Sequence, residues 1–254
     1  MSHIIDDSSD VAALVPAGFS TGYRGMFRGA NSADDVTVDF PNEMLISRDE
    51  WKDRCLEMAE RKSRIIDLCD AAGLGVKDQG QTNFCWANAP CHAVEIVRII
   101  QNQPLVRLSP ASVACQINGF RNQGGWGEDA LRFIVEHGAV PESQWPANAI
   151  SKKYLTEANK TAAMQYRVTE WWRLEPRNLD QLVSCLLHRM PVAVGYAWWG
   201  HEITAVGATW NGTDVDLDID NSWGAGWGTN GRGVLKGKKR LPDDAVVPRV
   251  AVAT

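Results

Sequence analysis

Apolar positions along the chain keep two different periods, helical through most of the chain and alternating towards its end. The first 45 residues are rich in Ser, Gly and Asp with short apolar patches, and predict irregular structure. A helix follows from about Ser47 to Arg64. Ser47 stands ahead of Asp49 and Glu50, which suit a helix start, and Trp51, Cys55 and Met58 form one stripe. A second helix runs from Cys85 to about Gln101, with Ala89, His92, Ala93, Ile96, Val97 and Ile100 on a broad, mostly apolar face. Ser109 and Pro110 read as an N-cap and first helical residue. Glu128 to His137 predicts a short helix that turns Leu131, Ile134 and Val135 inward and ends at Gly138. Lys152–Met164 and Asn178–Arg189 extend the helical pattern.

The period then changes. Val192–Tyr196, His201–Trp210 and Thr213–Asp220 predict strands, and Gly233–Lys236 a last short one. Asn211-Gly212 suggests a type I′ hairpin between the second and third. Val215, Leu217 and Ile219 alternate with Asp214, Asp216, Asp218 and Asp220, which predicts one buried face and one solvated acidic face. Mostly helices and then mostly strands give an α+β chain of two lobes. The expected divisions are an extension over 1–64, a helical lobe over 65–150 and a β-rich lobe over 151–254.

Composition narrows the function classes. With 44% hydrophobic and 22% charged residues in 254, the chain is neither disordered nor low in complexity. A net charge of −5 argues against a general nucleic-acid binder, which needs a basic face. No apolar run is long enough for a membrane span, and the first residues lack a basic and an apolar signal region. The expectation is a chain that is not secreted by a classical signal, cytoplasmic or virion-associated, with no membrane or nucleic-acid partner. The six cysteines match neither a disulfide framework nor a zinc spacing, so free thiols, no metal and no cofactor are expected.

Among the cysteines, Cys85 stands where a loop enters a helix, and a helix N-terminus favours a thiolate. A nucleophilic thiol also needs a base. His92 lies two turns along the same helix and cannot fold back to it, and His137 and His188 close helices. His201 opens a strand in the other lobe, and Asn221 ends the neighbouring strand, where it could orient an imidazole. On residue types alone, a buried Cys, a turn His and a turn Asn fit as well. Gly226-Trp227-Gly228-Thr229-Asn230-Gly231 satisfies G-x-G-x-x-G, but a strand-like segment follows where a dinucleotide site needs a helix.

Local sequence separates these readings. Val76-Lys77-Asp78-Gln79-Gly80-Gln81-Thr82-Asn83-Phe84-Cys85-Trp86-Ala87 resembles the nucleophile segment of papain-like (C1-type) cysteine peptidases. His201-Glu202-Ile203-Thr204-Ala205-Val206-Gly207 resembles the histidine segment. Asn221-Ser222-Trp223-Gly224-Ala225-Gly226-Trp227-Gly228 opens the tryptophan-rich signature. The motifs come in family order across about 67–240. The resemblance implies a two-lobed fold with a β-rich, barrel-like second lobe and a cleft between, and a cysteine endopeptidase acting through an acyl-enzyme on Cys85. It implies His201 as the partner of a thiolate–imidazolium pair, Asn221 as its orienter and Gln79 as an oxyanion donor together with the Cys85 N–H. It makes Trp223 a shield for the His–Asn bond, Gly124 and Gly125 backbone docking points for a peptide, and Glu202 a residue of the main specificity pocket. A non-secreted bacterial or phage member is expected.

Several residues depart from the family pattern. Thr82 and Asn122 stand where the family has a disulfide, Asn83 where it has Gly, and Phe84 where it has a smaller residue. Pro90 falls inside the nucleophile helix and predicts a lost hydrogen bond and a kink. Asn83 is expected to take a left-handed backbone. The carboxylate of Glu202 could select a basic residue, raise the His201 pKa or fill the pocket. The 1–64 extension could be a cleft-covering propeptide, a segment that docks a protein partner or assembly, or a flexible fused segment. An assembly component with little turnover is the alternative to a peptidase.

Overall fold

In the computed structural model the described residues are 3–22 and 39–253. They begin with a short strand β1 (Ile4–Ile5) and a single helical turn α1 (Val11–Leu14). Five helices follow: α2 (Arg48–Glu60), α3 (Ile65–Ala72), α4 (Cys85–Ile100), α5 (Pro110–Ile117) and α6 (Gly127–His137). Then come α7 (Glu157–Ala163), β2 (Val168–Arg173) and α8 (Leu179–Leu187). The chain closes with β3 (Val192–Tyr196), β4 (His201–Trp210), β5 (Val215–Asp220), β6 (Arg232–Leu235) and β7 (Asp244–Ala251).

The strands form one seven-stranded sheet in the order β1-β6-β5-β4-β3-β7-β2. All pairings are antiparallel except that of β1 with β6. The middle of the sheet is buried on both faces. Val192, Val194 and Tyr196 of β3 join one core, and Ala193 between them joins the other. That is why β3 reads as an unbroken apolar run and β4 carries one from Ala205 to Ala208. The first core gathers α2, α3 and α8 around Trp51, Cys69 and Leu182. The second gathers α4, α5 and α6 around Trp86, Val113 and Leu131. The α+β fold with two lobes thus stands, with α4 lying against β3, β4 and β7 where the lobes meet.

Helix ends follow local chemistry. Ser109 Oγ accepts from the Ser112 N–H at 3.2 Å and Pro110 supplies the first helical residue of α5. Asn178 caps α8 by accepting from Gln181 N–H at 3.0 Å. Gly73 closes α3 at φ +71°, a backbone that suits glycine.

Some expectations are corrected. The 47–64 helix is α2, which stops at Glu60, and α3, which brings Ile65 and Cys69 into the sheet core, was not expected. The 152–164 segment is a short 3₁₀ turn and a separate α7, which Thr156 caps. The β4–β5 connection is not a two-residue turn. Trp210 pairs with Val215, and Asn211 Oδ1 accepts from the N–H groups of Thr213 and Asp214 at 3.1 and 3.0 Å. The β5 aspartates do not face water: Asp216 and Asp220 are buried. Asp216 pairs with Lys236 at 3.0 Å, and Asp218 accepts from Thr209 Oγ1 at 2.7 Å. β2 and β7 have no counterpart in the sequence reading. Pro248 obscures β7, yet it is tolerated because the β3 ladder covers only Asp244–Val246 and stops short of it.

Candidate active site

Cys85 is the first residue of α4, His201 the first of β4, and Asn221 follows β5 directly. Adjacent antiparallel strands bring the last two together: His201 Nε2 donates to Asn221 Oδ1 at 2.7 Å. The Ser222 N–H donates to the same oxygen at 2.7 Å, which fixes the amide's orientation. Trp223 stacks on the imidazole with ring centroids 4.2 Å apart, and Trp199 meets both rings edge-on. The imidazole proton on Nε2 is therefore committed to Asn221 under an indole roof. Nδ1 carries no hydrogen bond among the described residues, so its lone pair can receive a proton.

Gln79 is set in a similar way. Ser222 Oγ donates to Gln79 Oε1 at 2.6 Å, leaving Nε2 to donate to Thr82 O at 2.8 Å and Ser20 O at 3.0 Å. Ser20 belongs to the N-terminal extension. Phe19 lies against Trp223, with centroids 6.0 Å apart. The Gly22 N–H points at Cys85 Sγ at 3.3 Å, and Gly22 O accepts from the Gly125 N–H at 2.9 Å. Residues 19–22 are thus a strap laid across Cys85. Cys85 and His201 are both 0% exposed. The approach is so close that a Cβ on Gly22 would lie 2.1 Å from Asn83 O, and one on Gly124 2.1 Å from Gly22 O.

A family model described as papain family cysteine protease matches residues 66–203, more than half of the chain. This chain belongs to the papain family of cysteine proteases.

Papaya proteinase 4 from Carica papaya is 28% identical over 82% of this chain and 68% of its own length. The oryzain beta chain of Oryza sativa subsp. japonica is 28% identical over 82% of this chain. The chain spans only about half of that second relative (51%). Among solved structures, xylellain from Xylella fastidiosa shares the fold at a TM-score of 0.64 and 19% identity, covering 93% of this chain and 99% of that one. The bromelain protease from Ananas comosus aligns at 0.62 and 21% identity, covering 74% and 97%.

In this papain-family chain the covered site is neutral rather than an ion pair. Burial, helped by the nearby Glu202 carboxyl, pushes the Cys85 thiol up to about 12. Burial pulls His201 down to about 4 against the opposing effect of its bond to Asn221. Glu202 itself is held well above the ordinary carboxylate range, first by burial and then by Asp244. It does not raise the His201 pKa. Gly195 of β3 pairs with both Glu202 and Asp244, so the two acids flank one glycine. Glu202 fills the space beside Gly127, where a Cβ would lie 1.7 Å from its Oε1.

The departures from the family pattern have structural answers. All six cysteines are free. Where the disulfide is missing, Asn122 Oδ1 accepts from the Asn83 N–H at 2.7 Å and its Nδ2 donates to Gln81 O at 3.2 Å. A hydrogen-bonded amide thus joins the loops that a covalent bridge would join. Asn83 does not take the left-handed backbone; in this loop Gly80 does, at φ +51°. Phe84 is fully buried edge-on to Trp86. Pro90 does not break α4, which continues to Ile100. Two contributors had no role in the sequence reading. Ser222 sits inside a quoted signature without any sign of its grip on Gln79. The strap segment Gly18-Phe19-Ser20-Thr21-Gly22 carries only one signal, small residues that permit close main-chain approach.

Proposed function

We propose that this chain is a cysteine endopeptidase whose own extension covers the cleft until it is released. The observation that carries the first half is that hydrogen bonds join His201, Asn221, Ser222 and Gln79 in one chain, and that the strap ties Gln79 to Cys85 through Ser20 and Gly22. With the strap withdrawn, the Cys85 thiol gives its proton to His201 Nδ1 and the thiolate attacks the peptide carbonyl. Gln79 Nε2 and the Cys85 N–H take the oxyanion charge. His201 returns the proton to the leaving amine, and water hydrolyses the acyl-enzyme with His201 again as base. Asn221 holds Nε2 throughout, which leaves Nδ1 to exchange the proton, and Trp223 keeps water from the His–Asn bond.

The chemistry also fixes polarity. The leaving amine must depart on the His201–Trp223 side, so the acyl portion of a substrate lies towards Gly124 and Gly125. The strap runs from Phe19 at Trp223 to Gly22 at Gly125, the opposite direction. It presents an N–H to the sulfur in place of a carbonyl carbon, and so occupies the site without being a substrate. This favours the propeptide-like reading of the extension, carried by residues 19–22, while α2 packs behind the sheet on α8 and β4. The substrate is a peptide or protein. Glu202, which lies against Gly127, suits a basic side chain two residues before the cut. An unchanged preference in Glu202→Ala refutes that. The free thiols and the missing disulfide support a reducing compartment. A bacterial or phage member remains the narrower form of the proposal, and the plant relatives add nothing to it. No observation favours the non-catalytic assembly component.

Intact-mass analysis after reaction with an epoxysuccinyl inhibitor tests the proposal. One adduct on strap-released protein, absent in Cys85→Ala, supports it. No adduct in either overturns it.

A further inference from the structure

His92 was set aside as a base because it lies two turns along α4 from Cys85. Its surroundings give it another task. The ring is buried, with Nδ1 3.2 Å from Glu95 Oε2 and Nε2 2.9 Å from Asp220 Oδ2. An ionised carboxylate only accepts, so two ionised partners make both contacts hydrogen bonds only if both ring nitrogens bear hydrogen.

The charges around the ring ask for the same state. Glu95 on α4 faces Lys77 and, at 3.5 Å, Arg107. Lys77 also holds Glu142 at 2.9 Å. Asp220 on β5 accepts from Arg232 Nε of β6 at 3.0 Å, and Arg232 reaches Asp70 of α3 at 2.7 Å. The thiols of Cys69 and Cys91 beside this network are pushed up to about 12, first by burial, and stay neutral. From β4 the facing group is an uncharged hydroxyl, Thr204 Oγ1, which donates to Ala89 O at 3.2 Å. Lys77, Arg107 and Arg232 thus oppose Glu95, Glu142, Asp220 and Asp70, and a cationic His92 balances the set.

The position of this cation matters because Asp220 immediately precedes Asn221. We propose that His92 is a positioning residue of the catalytic site. Its imidazolium bridges Glu95 on the nucleophile helix to Asp220 on the strand that presents Asn221, and so sets where the Asn221 carbonyl holds His201. Burial alone would lower the His92 pKa, but the bonds to Asp220 and Glu95 outweigh it and leave it above the ordinary value. The clamp therefore holds to a higher pH than a free imidazole would allow.

The catalytic consequence rests on the peptidase reading, but two readouts do not. In full-length chain with ¹⁵N-labelled histidine, one ring, assigned by its loss in His92→Gln, should keep both N–H protons at pH 7.5. In the same variant, the His201 Nε2 proton bonded to Asn221 should lose its protection from solvent exchange. On strap-released protein, His92→Gln should lower kcat by about 10–10²-fold with KM within about twofold, as expected when a reacting group is misplaced. A His92 ring with a single proton at pH 7.5 in the unmutated chain overturns the proposal, and needs no variant to fold. So does a His92→Gln protein with His201 protection and kcat unchanged. Loss of His201 protection in a chain that hydrolyses nothing would uphold the clamp and refute the peptidase.

Discussion

Gly22→Val should expose the nucleophile. In the resting structure the strap is held over Cys85 by the Gly22 N–H on sulfur, the Gly125 N–H on Gly22 O and the Gln79 amide on Ser20 O. At about 1 kcal/mol net for each, these contribute roughly 3 kcal/mol. That corresponds to a covered state favoured by ~10² over the open one. A Cβ at position 22 would meet the backbone oxygen of Asn83 at 2.1 Å, which no side-chain rotation relieves. The substituted strap must leave, and the protection factor should fall to near one. The assay is the alkylation rate of Cys85 by iodoacetamide, followed by intact mass, with Cys85→Ala to assign the site. The expected result is a rate ~10²-fold higher in Gly22→Val than in the unmutated chain. Gly75→Ala, where an added Cβ meets nothing within 4 Å, is the control and should label like the unmutated chain. Equal rates in the unmutated chain and Gly22→Val would show that residues 19–22 do not guard the thiol, and the covering argument would fall.

Other perturbations follow from single contacts. On strap-released protein, Gln79→Ala should lower kcat by about 10²–10³-fold with a smaller change in KM, because it removes the side-chain oxyanion donor proposed above; steady-state kinetics on a peptide substrate reads this. Asp244, moved by burial from its ordinary 3.8 to about 7, contributes stability at low pH that is lost as the pH rises through that interval. Asp244→Asn should therefore raise the melting temperature at pH 8 by the equivalent of up to ~4 kcal/mol, and leave it nearly unchanged at pH 4. Asn122→Ala removes the acceptor of the Asn83 N–H and should cost about 1–2 kcal/mol in urea unfolding, since a polar clamp is lost next to the nucleophile loop.

What the sequence made legible is what local chemistry controls. Cys85, His201, Asn221 and Gln79 stand in short signatures because each needs a particular neighbour: a helix start, a strand end, a shielding indole. The helix cap at Ser109 was readable for the same reason. The aspartates of β5 were misread because alternation reports a period and does not report what covers a face. Here Lys236, Arg232, Thr209 and His92 cover it, all contributed from other elements. β7 was hidden because Pro248 argues against a strand, and only the ladder shows that its missing N–H is needed by no neighbour on the β3 side. The strap was least legible of all. Its contacts are made largely by main-chain atoms of Ser20 and Gly22, and a main chain has no residue type to recognise.

That last point bears on how the site is held at rest. Backbone contacts across Cys85 exclude water as well as substrate, and excluding water alters the chemistry beneath. Separating charge between sulfur and imidazole is costly in a dry site, which is why the thiol lies near 12 and His201 near 4. Withdrawal of residues 19–22 admits solvent and the substrate's polar backbone at one stroke, and both changes favour the thiolate–imidazolium pair. Access and nucleophilicity are thus coupled through one segment. The alkylation rate of Gly22→Val should accordingly be nearly flat between the new, lower thiol pKa and neutral pH. The unmutated chain should react only through its open fraction, with the same pH dependence scaled down.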